Sequence, residues 1–390
     1  MHLSKRITGL NAGGSDGWDV FYRARAMREA GQPVIELTIG EHDIPTAPQI
    51  LDAMHAAAQA GHTGYAAVPG IHPLRAAIAA RVEARTGVPT GPENVLVTPG
   101  GQAGLFAAHA ATCDAGDTAL FIDPYYATYP GTLRAVGAIA KPVAAQPEQG
   151  FQPQADDIAA AAKGARSLLI NTPNNPTGVV YARATLQGIA DTCRDHDLWL
   201  ISDEVYDTQV WEGAHLSPRA LPGMAERTLV IGSMSKSHAM TGSRIGWIVG
   251  PEDAIEHLVN LSTHTTYGVP GYIQDAALFA LNQGTALEER IAAPFRRRRA
   301  IAQAVLAQTS AVTPVPCAGA MYIMLDIRAT GLSGEEFANR LLDAERIAVM
   351  PGESFGQAAA GHLRVAMTVK DATFEAALRR LVGFAEAIAP

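Results

Sequence analysis

Residues 228–250 read TLVIGSMSKSHAMTGSRIGWIVG: an apolar β-branched run, hydroxyls crowded around Lys236, then glycines bracketing Arg244 and a second apolar run. TLVIG (228–232) and RIGWIVG (244–250) have the length and composition of buried strands. NVLVT (94–98), TALFID (118–123), SLLIN (167–171) and LWLIS (198–202) repeat the pattern, separated by Ala-rich helical stretches. Short apolar strands alternating with helices predict an α/β fold, a mostly parallel sheet covered by helices. Beyond residue 285 a long helical segment leads into MYIMLDI, GEEFANRLLDAE, IAVMPG, HLRVAMT and a terminal helix, the makings of a smaller α+β domain. VIELTIGEHDIPTAP is expected to cross back onto it. The boundaries are therefore set at 46–285 for the large domain, with 1–45 and 286–390 forming the small one.

Ligands of open parallel sheets gather outside the carboxyl ends of the strands, so the strand endings carry the functional reading. NVLVT runs into Pro99-Gly100-Gly101-Gln102, a glycine turn feeding a helix, which is either a plain turn or a seat for a phosphate. TALFID ends in Pro124-Tyr125-Tyr126, packing aromatics or a stacking platform. SLLIN ends in Thr172-Pro173-Asn174-Asn175-Pro176-Thr177-Gly178, whose residues also suit an ordinary turn. LWLIS ends in Asp203-Glu204-Val205-Tyr206, where a carboxylate after so apolar a strand is a helix N-cap or asks for a cationic partner. Lys236, if buried, loses pKa and becomes a nucleophile toward carbonyls; if exposed, it is one more surface lysine. Five such endings coincide in one chain. Together they fit pyridoxal phosphate: a cradle for its phosphate, an aromatic for its ring, an Asp for its pyridine nitrogen and a lysine for its aldehyde.

Composition agrees with an ordinary globular enzyme: 390 residues, 48% apolar, 17% charged and 37 glycines. A formal charge of −8 argues against nucleic acid as a partner. Cys113, Cys193 and Cys317 are odd in number and unpaired in spacing, so no disulfide framework or metal site is expected, and a cytoplasmic location fits. No run of 18 or more apolar residues suggests a membrane span, and MHLSKRITGLNAGG has no apolar stretch of a secretory leader. The basic run Arg296 to Arg299 is expected to be a solvated helix face.

The motif set N-x-P-x-N-P-T-G (Asn171 to Gly178), S-D-E-V-Y (Ser202 to Tyr206) and S-x-S-K-x-x-x-x-x-G-x-R-x-G (from Ser233) resembles the class I/II aminotransferases. These are aspartate aminotransferase-like members of the fold type I pyridoxal-phosphate enzymes, and the likeness runs from VIELTIG to HLRVAMT. It implies a seven-stranded-type sheet and a homodimer with shared active sites. By the same resemblance Lys236 is the Schiff-base lysine and proton carrier, Asp203 pairs with the pyridine nitrogen, and Asn175 and Tyr206 bond the phenolic oxygen. Tyr126 would stack on the ring; Gly101, Gln102, Ser233, Arg244 and, from the other subunit, Tyr65 would hold the phosphate. Arg364 would fork onto the substrate α-carboxylate, helped by Asn175 and the Gly40 backbone.

The chain departs from the family where Pro and Asp often follow Gly-Glu: it has Glu41-His42-Asp43-Ile44. His42 is expected to touch a side chain or, as lone histidines more often do, to face solvent. No arginine is committed to a second substrate carboxylate, which leaves acidic, aromatic, aliphatic and sulfur-containing donors open. The implied reaction is ping-pong transfer of an amino group from an L-amino acid to a 2-oxo acid, 2-oxoglutarate or pyruvate. A carbon–sulfur β-lyase on the same site is the alternative. A non-catalytic regulator is disfavoured by the acidic chain, the lack of room for a DNA-binding unit before VIELTIG, and the filled chemical positions.

Overall fold

A computed structural model describes residues 1–12 and 17–389; Gly13 to Asp16 of the N-terminal stretch, and Pro390, lie outside the described residues. In chain order the strands are β1 (Ile35–Glu36), β2 (Val95–Thr98), β3 (Thr118–Asp123), β4 (Ile139–Ala144), β5 (Ala165–Asn171), β6 (Trp199–Asp203) and β7 (Thr228–Ser233). Then follow β8 (Gly246–Val249), β9 (Thr313–Pro314), β10 (Tyr322–Asp326), β11 (Ile347–Ala348), β12 (Met350–Pro351) and β13 (His362–Ala366).

Seven strands form the large sheet in the order β2-β8-β7-β6-β5-β3-β4, α/β and mostly parallel as the sequence predicts. Its central strands are covered on both faces, and Leu168, Leu169 and Ile170 of β5 are all 0% exposed. Such burial explains why they read as continuous apolar runs rather than alternating ones. β8 alone runs antiparallel to its neighbours, pairing with β2 and β7. Its amino end therefore lies beside the carboxyl ends of the others, with Gly246 opposite Thr98 and Ser233. That reversal brings Arg244, which precedes β8, to the same edge as Lys236. β4 has no counterpart in the strands read from sequence: IAKPVA is an edge strand with Pro142 in it and Ile139 exposed. Edge strands need no second ladder and tolerate proline and charge, which hides them from a hydrophobic pattern.

The second sheet, β12-β13-β10-β9, is antiparallel and places Arg364 opposite both Met324 and Met350. β1 pairs in parallel with β11, and Arg23 of the helix Asp19–Glu29 donates to Asn339 of the helix Gly334–Glu345 at 3.0 Å. Among the described residues no helix is long and apolar enough to cross a membrane.

The basic run corrects an expectation. Arg296 and Arg297 are about half exposed, but Arg298 is 3% exposed and forks onto Asp43 at 2.9 and 2.7 Å, with its Nε on Asp371 at 2.9 Å. Four consecutive helical residues sweep about 300° of circumference, so they cannot share one solvated face. Arg298 instead anchors the segment just past Gly40.

On the helix Gly101–Thr112, His109 is 0% exposed and neither ring nitrogen has a partner among the described residues. Burial pushes its pKa down to about 3. The ring stays neutral when folded and protonates near 6.5 when unfolded, so its contribution to stability is lost as pH falls from 6.5 toward 3. His109→Leu is expected to raise unfolding free energy by about 1–3 kcal/mol at neutral pH, because two unsatisfied atoms leave the core. Its advantage should widen by up to about 1.4 kcal/mol per pH unit below 6.5. Denaturant unfolding of both proteins at pH 7.5 and 5 checks this; an advantage that does not grow with acidity would refute it.

Candidate active site

The carboxyl edge of the large sheet and the face of β10 and β13 enclose a cavity of about 440 Å³. Lys236 reaches it from the single turn Met234–Ser237, which follows β7 directly and is capped by Ser233, whose Oγ accepts from the Ser235 N–H at 3.0 Å. Its Nζ donates to the Gly40 carbonyl. Burial, helped by Arg364 and Arg244 and opposed by Glu41, holds the ammonium down to about 8. A neutral amine is thus accessible near physiological pH, and the surface-lysine alternative fails. The Lys236 carbonyl accepts from His42 Nε2 at 3.0 Å and from Gln209 Nε2 at 3.2 Å. His42 does not face solvent: its ring also meets Phe295 edge-on at 5.5 Å, and burial lowers its pKa to about 4.

Asp203 closes β6 at 4% exposure, and no helix starts there, so it is not an N-cap. The Tyr129 hydroxyl donates to its Oδ2 at 2.7 Å, yet burial still pushes the carboxyl up to about 6. A cation is the partner this buried carboxylate lacks. Asn171, opposite Asp203 in the sheet, donates to the Asp203 carbonyl at 2.9 Å and accepts the Asn175 N–H at 2.7 Å. Asn175 is thereby aimed inward, and its Oδ1 accepts from Arg364 Nη1 at 2.9 Å.

Arg364 is 1% exposed and lies between the rings of Tyr322 and Phe355, 4.5 and 4.3 Å from their centroids. Its other terminal nitrogen donates to the Thr38 carbonyl, while Nε is buried without a partner among the described residues. An anion with a free oxygen would complete it. The Tyr206 hydroxyl is 3.0 Å from that of Tyr322, and burial raises its pKa well above the usual phenol value.

At the opposite end, the helix Gly101–Thr112 opens behind Gly100, whose φ is +80°. That φ favours glycine, and the Arg244 guanidinium packs where a Cβ on Gly100 would stand. Backbone N–H groups, a helix N-terminus, a fixed cation and the Ser233 hydroxyl meet here, a donor set that fits a phosphate. The Gln102 side chain is engaged elsewhere, donating to Thr132 Oγ1 at 2.8 Å and accepting from Thr128 Oγ1 at 3.0 Å. Tyr126 lines the cavity beside Tyr129, ring centroids 5.8 Å apart.

The cavity thus gathers Gly40, Gly101, Gln102, Tyr126, Asn175, Asp203, Tyr206, Ser233, Lys236, Arg244 and Arg364. Tyr65 is not among them: it is 92% exposed, edge-on to Tyr267 at 5.2 Å, in a separate surface hollow. Sequence reasoning missed Tyr129 and Tyr322, and it named Asn171 only as the first residue of its motif, without a role. Tyr129 is the first residue of the helix Tyr129–Val136, three positions after Tyr126, and the sequence around it carried no periodic signal. Tyr322 gave no signal beyond a hydroxyl in an apolar strand, which needs a partner when buried.

Cationic, acidic and hydroxyl groups thus surround a part-buried lysine at the edge of a mostly parallel sheet. The family model "Aminotransferase class I and II" matches residues 32–381. An arginine–pyruvate transaminase of Pseudomonas aeruginosa is 41% identical over 97% of this chain and 96% of its own. The aspartate/prephenate aminotransferase of Thermus thermophilus is 34% identical over 97% of each. The Thermus thermophilus aspartate aminotransferase with maleate superposes with a TM-score of 0.92 at 33% identity, over 98% of this chain and 100% of that one. The chain belongs to the class I and II aminotransferases and is a transaminase.

Proposed function

We propose that this transaminase works with pyridoxal phosphate held on Lys236, moving the amino group of an L-amino acid to a 2-oxo acid in two half-reactions. What carries the reading is one cavity with a phosphate-type donor set at one end, a buried Asp203 carboxylate bonded by the Tyr129 hydroxyl but by no cation among the described residues, and Arg364 opposite. Bound there, pyridoxal phosphate supplies an aldehyde that captures amines and a ring that draws electrons from the adjacent carbon. Asp203 keeps the ring nitrogen protonated, and Tyr129 fixes the carboxylate. Asn175 and Tyr206 hydrogen-bond the phenolic oxygen; Tyr126 covers the ring face. Ser233, Arg244 and the Gly101-Gln102 turn hold the phosphate. Lys236 moves the proton at the substrate α carbon. Arg364, with Asn175 and Gly40, orients the α-carboxylate through a fork that lysine could not reproduce.

Residues 46–285 serve as the cofactor-bearing unit, with 1–45 and 286–390 closing over substrate. The exposure of Tyr65, remote from its own cavity, supports a homodimer in which it reaches the phosphate end of the other subunit's site. Buried, unpaired cysteines suit a reducing cytoplasm. The relative at 41% identity makes arginine and pyruvate the first substrate pair to try, and Trp18, Phe21, Tyr22 and Glu41 lining the cavity offer π faces and a carboxylate to a cationic side chain.

The test is a visible spectrum of the purified protein with single amino acids and no acceptor, watching the cofactor band at roughly 360–430 nm. A donor that bleaches the band, restored by an oxo acid, supports the reading. Pyruvate and ammonia released with the band unchanged would replace it with elimination.

A further inference from the structure

Asp123 ends β3 at 5% exposure and is not among the residues lining the Lys236 cavity. Its carboxylate is turned instead to the loop before β13: Oδ2 accepts the Gln357 N–H at 3.0 Å and Oδ1 the Ala358 N–H at 3.3 Å. Two residues on, the Tyr125 N–H donates to the Phe355 carbonyl at 2.9 Å. Between these contacts Gly356, at φ +118°, presses on the carboxylate so closely that no Cβ fits. Phe355, 0% exposed, is one of the two rings that hold the Arg364 guanidinium.

We infer that Asp123 is a positioning residue for substrate carboxylates: it latches the 355–358 turn to the large sheet and so keeps Phe355 against Arg364. The inference rests on the proposed role of Arg364. A planar guanidinium clamped between two rings cannot tilt, and its in-plane N–H groups stay aimed at an incoming carboxylate. The two rings belong to different elements, Tyr322 to β10 and Phe355 to the latched turn, so the Asp123 contacts, together with the Tyr125 N–H on the Phe355 carbonyl, fix their spacing from the large-sheet side. Burying a carboxylate is costly, and here burial pushes it up to about 6, while the Ala358 and Gln357 N–H groups act in the opposite direction. Those two donors are what the buried charge serves. Because the same fork meets donor and acceptor carboxylates alike, loosening it removes uniform binding, which raises KM for both substrates more than it lowers kcat.

The experiment compares the holoenzyme with Asp123→Asn, which turns one acceptor into a donor facing an N–H, and Gly356→Ala, which displaces the turn while leaving Asp123 intact. Hydrogen exchange of the peptide spanning 353–361 is measured without substrate, and KM and kcat are measured for both substrates. We expect exchange there to quicken about tenfold or more, and both KM values to rise about tenfold or more, the scale of one charge-assisted hydrogen bond, with kcat within about threefold. Cofactor affinity should stay within about twofold, since its anchors lie elsewhere. Unchanged exchange in the variants that fold, or faster exchange with unchanged KM, overturns the latch. Arg364→Lys, run in parallel, separates the two readings. If it leaves KM unchanged, the role of Arg364 fails; if it raises KM while Asp123→Asn and Gly356→Ala do not, only the latch fails.

Discussion

Lys236→Ala is expected to lose about 10⁴-fold or more in transamination, the upper range for a positioned acid–base group, while its folding transition persists. The side chain hangs from a single capped turn, Met234–Ser237, and its polar contact is to the Gly40 carbonyl. Truncation therefore removes chemistry rather than framework. Its titration offers a second readout in the cofactor-free protein. The ammonium is held near 8, and only the neutral amine attacks an aldehyde, so capture of added pyridoxal phosphate should speed up as pH rises through about 8 and then level off. Retained turnover in Lys236→Ala would remove the lysine from the mechanism. A capture rate that is flat between pH 7 and 9 would contradict the burial that sets its pKa.

Asp203→Asn should cost at least about 100-fold in kcat, the scale on which other single electrostatic groups act in sheltered sites. The amide keeps the shape, and its oxygen can still accept from Tyr129; the charge is lost. Stability should move the other way. With its pKa raised to about 6 from 3.8, folded Asp203 favours the protonated form, so its contribution to stability is full below 3.8 and lost as pH rises through 6. Cofactor-free Asp203→Asn should therefore gain on wild type as pH rises from about 4 to 7, most visibly in denaturant midpoints. Near wild-type turnover would sink the assignment. Unchanged midpoints would mean that the carboxylate is not strained by burial.

These two residues also mark what could be read from one dimension. The α/β architecture was legible because buried parallel strands are continuous apolar runs, and the strand ends at Asn171, Asp203 and Ser233 stop in polar residues. β4 was not legible, because an edge strand with Pro142 carries too little apolar patterning. Arg298 was misjudged because a run of four arginines looks uniform in sequence, whereas a helix distributes it around its circumference.

Local sequence was enough for most of the large-sheet strands, the order of the motifs and the identity of the residues that could bear chemistry, since each depends on composition over a few neighbouring positions. Which groups share a cavity, and in what protonation state, depends on how the strands and helices pack. The antiparallel turn of β8 brings Arg244 to Gly100; the pairing of β10 with β13 sets Tyr322 against Arg364; burial, with Arg364 and Arg244 nearby, drives the Lys236 pKa down against Glu41. Contacts between residues far apart in the chain follow from sheet order and burial, and neither is written in any local stretch of the chain.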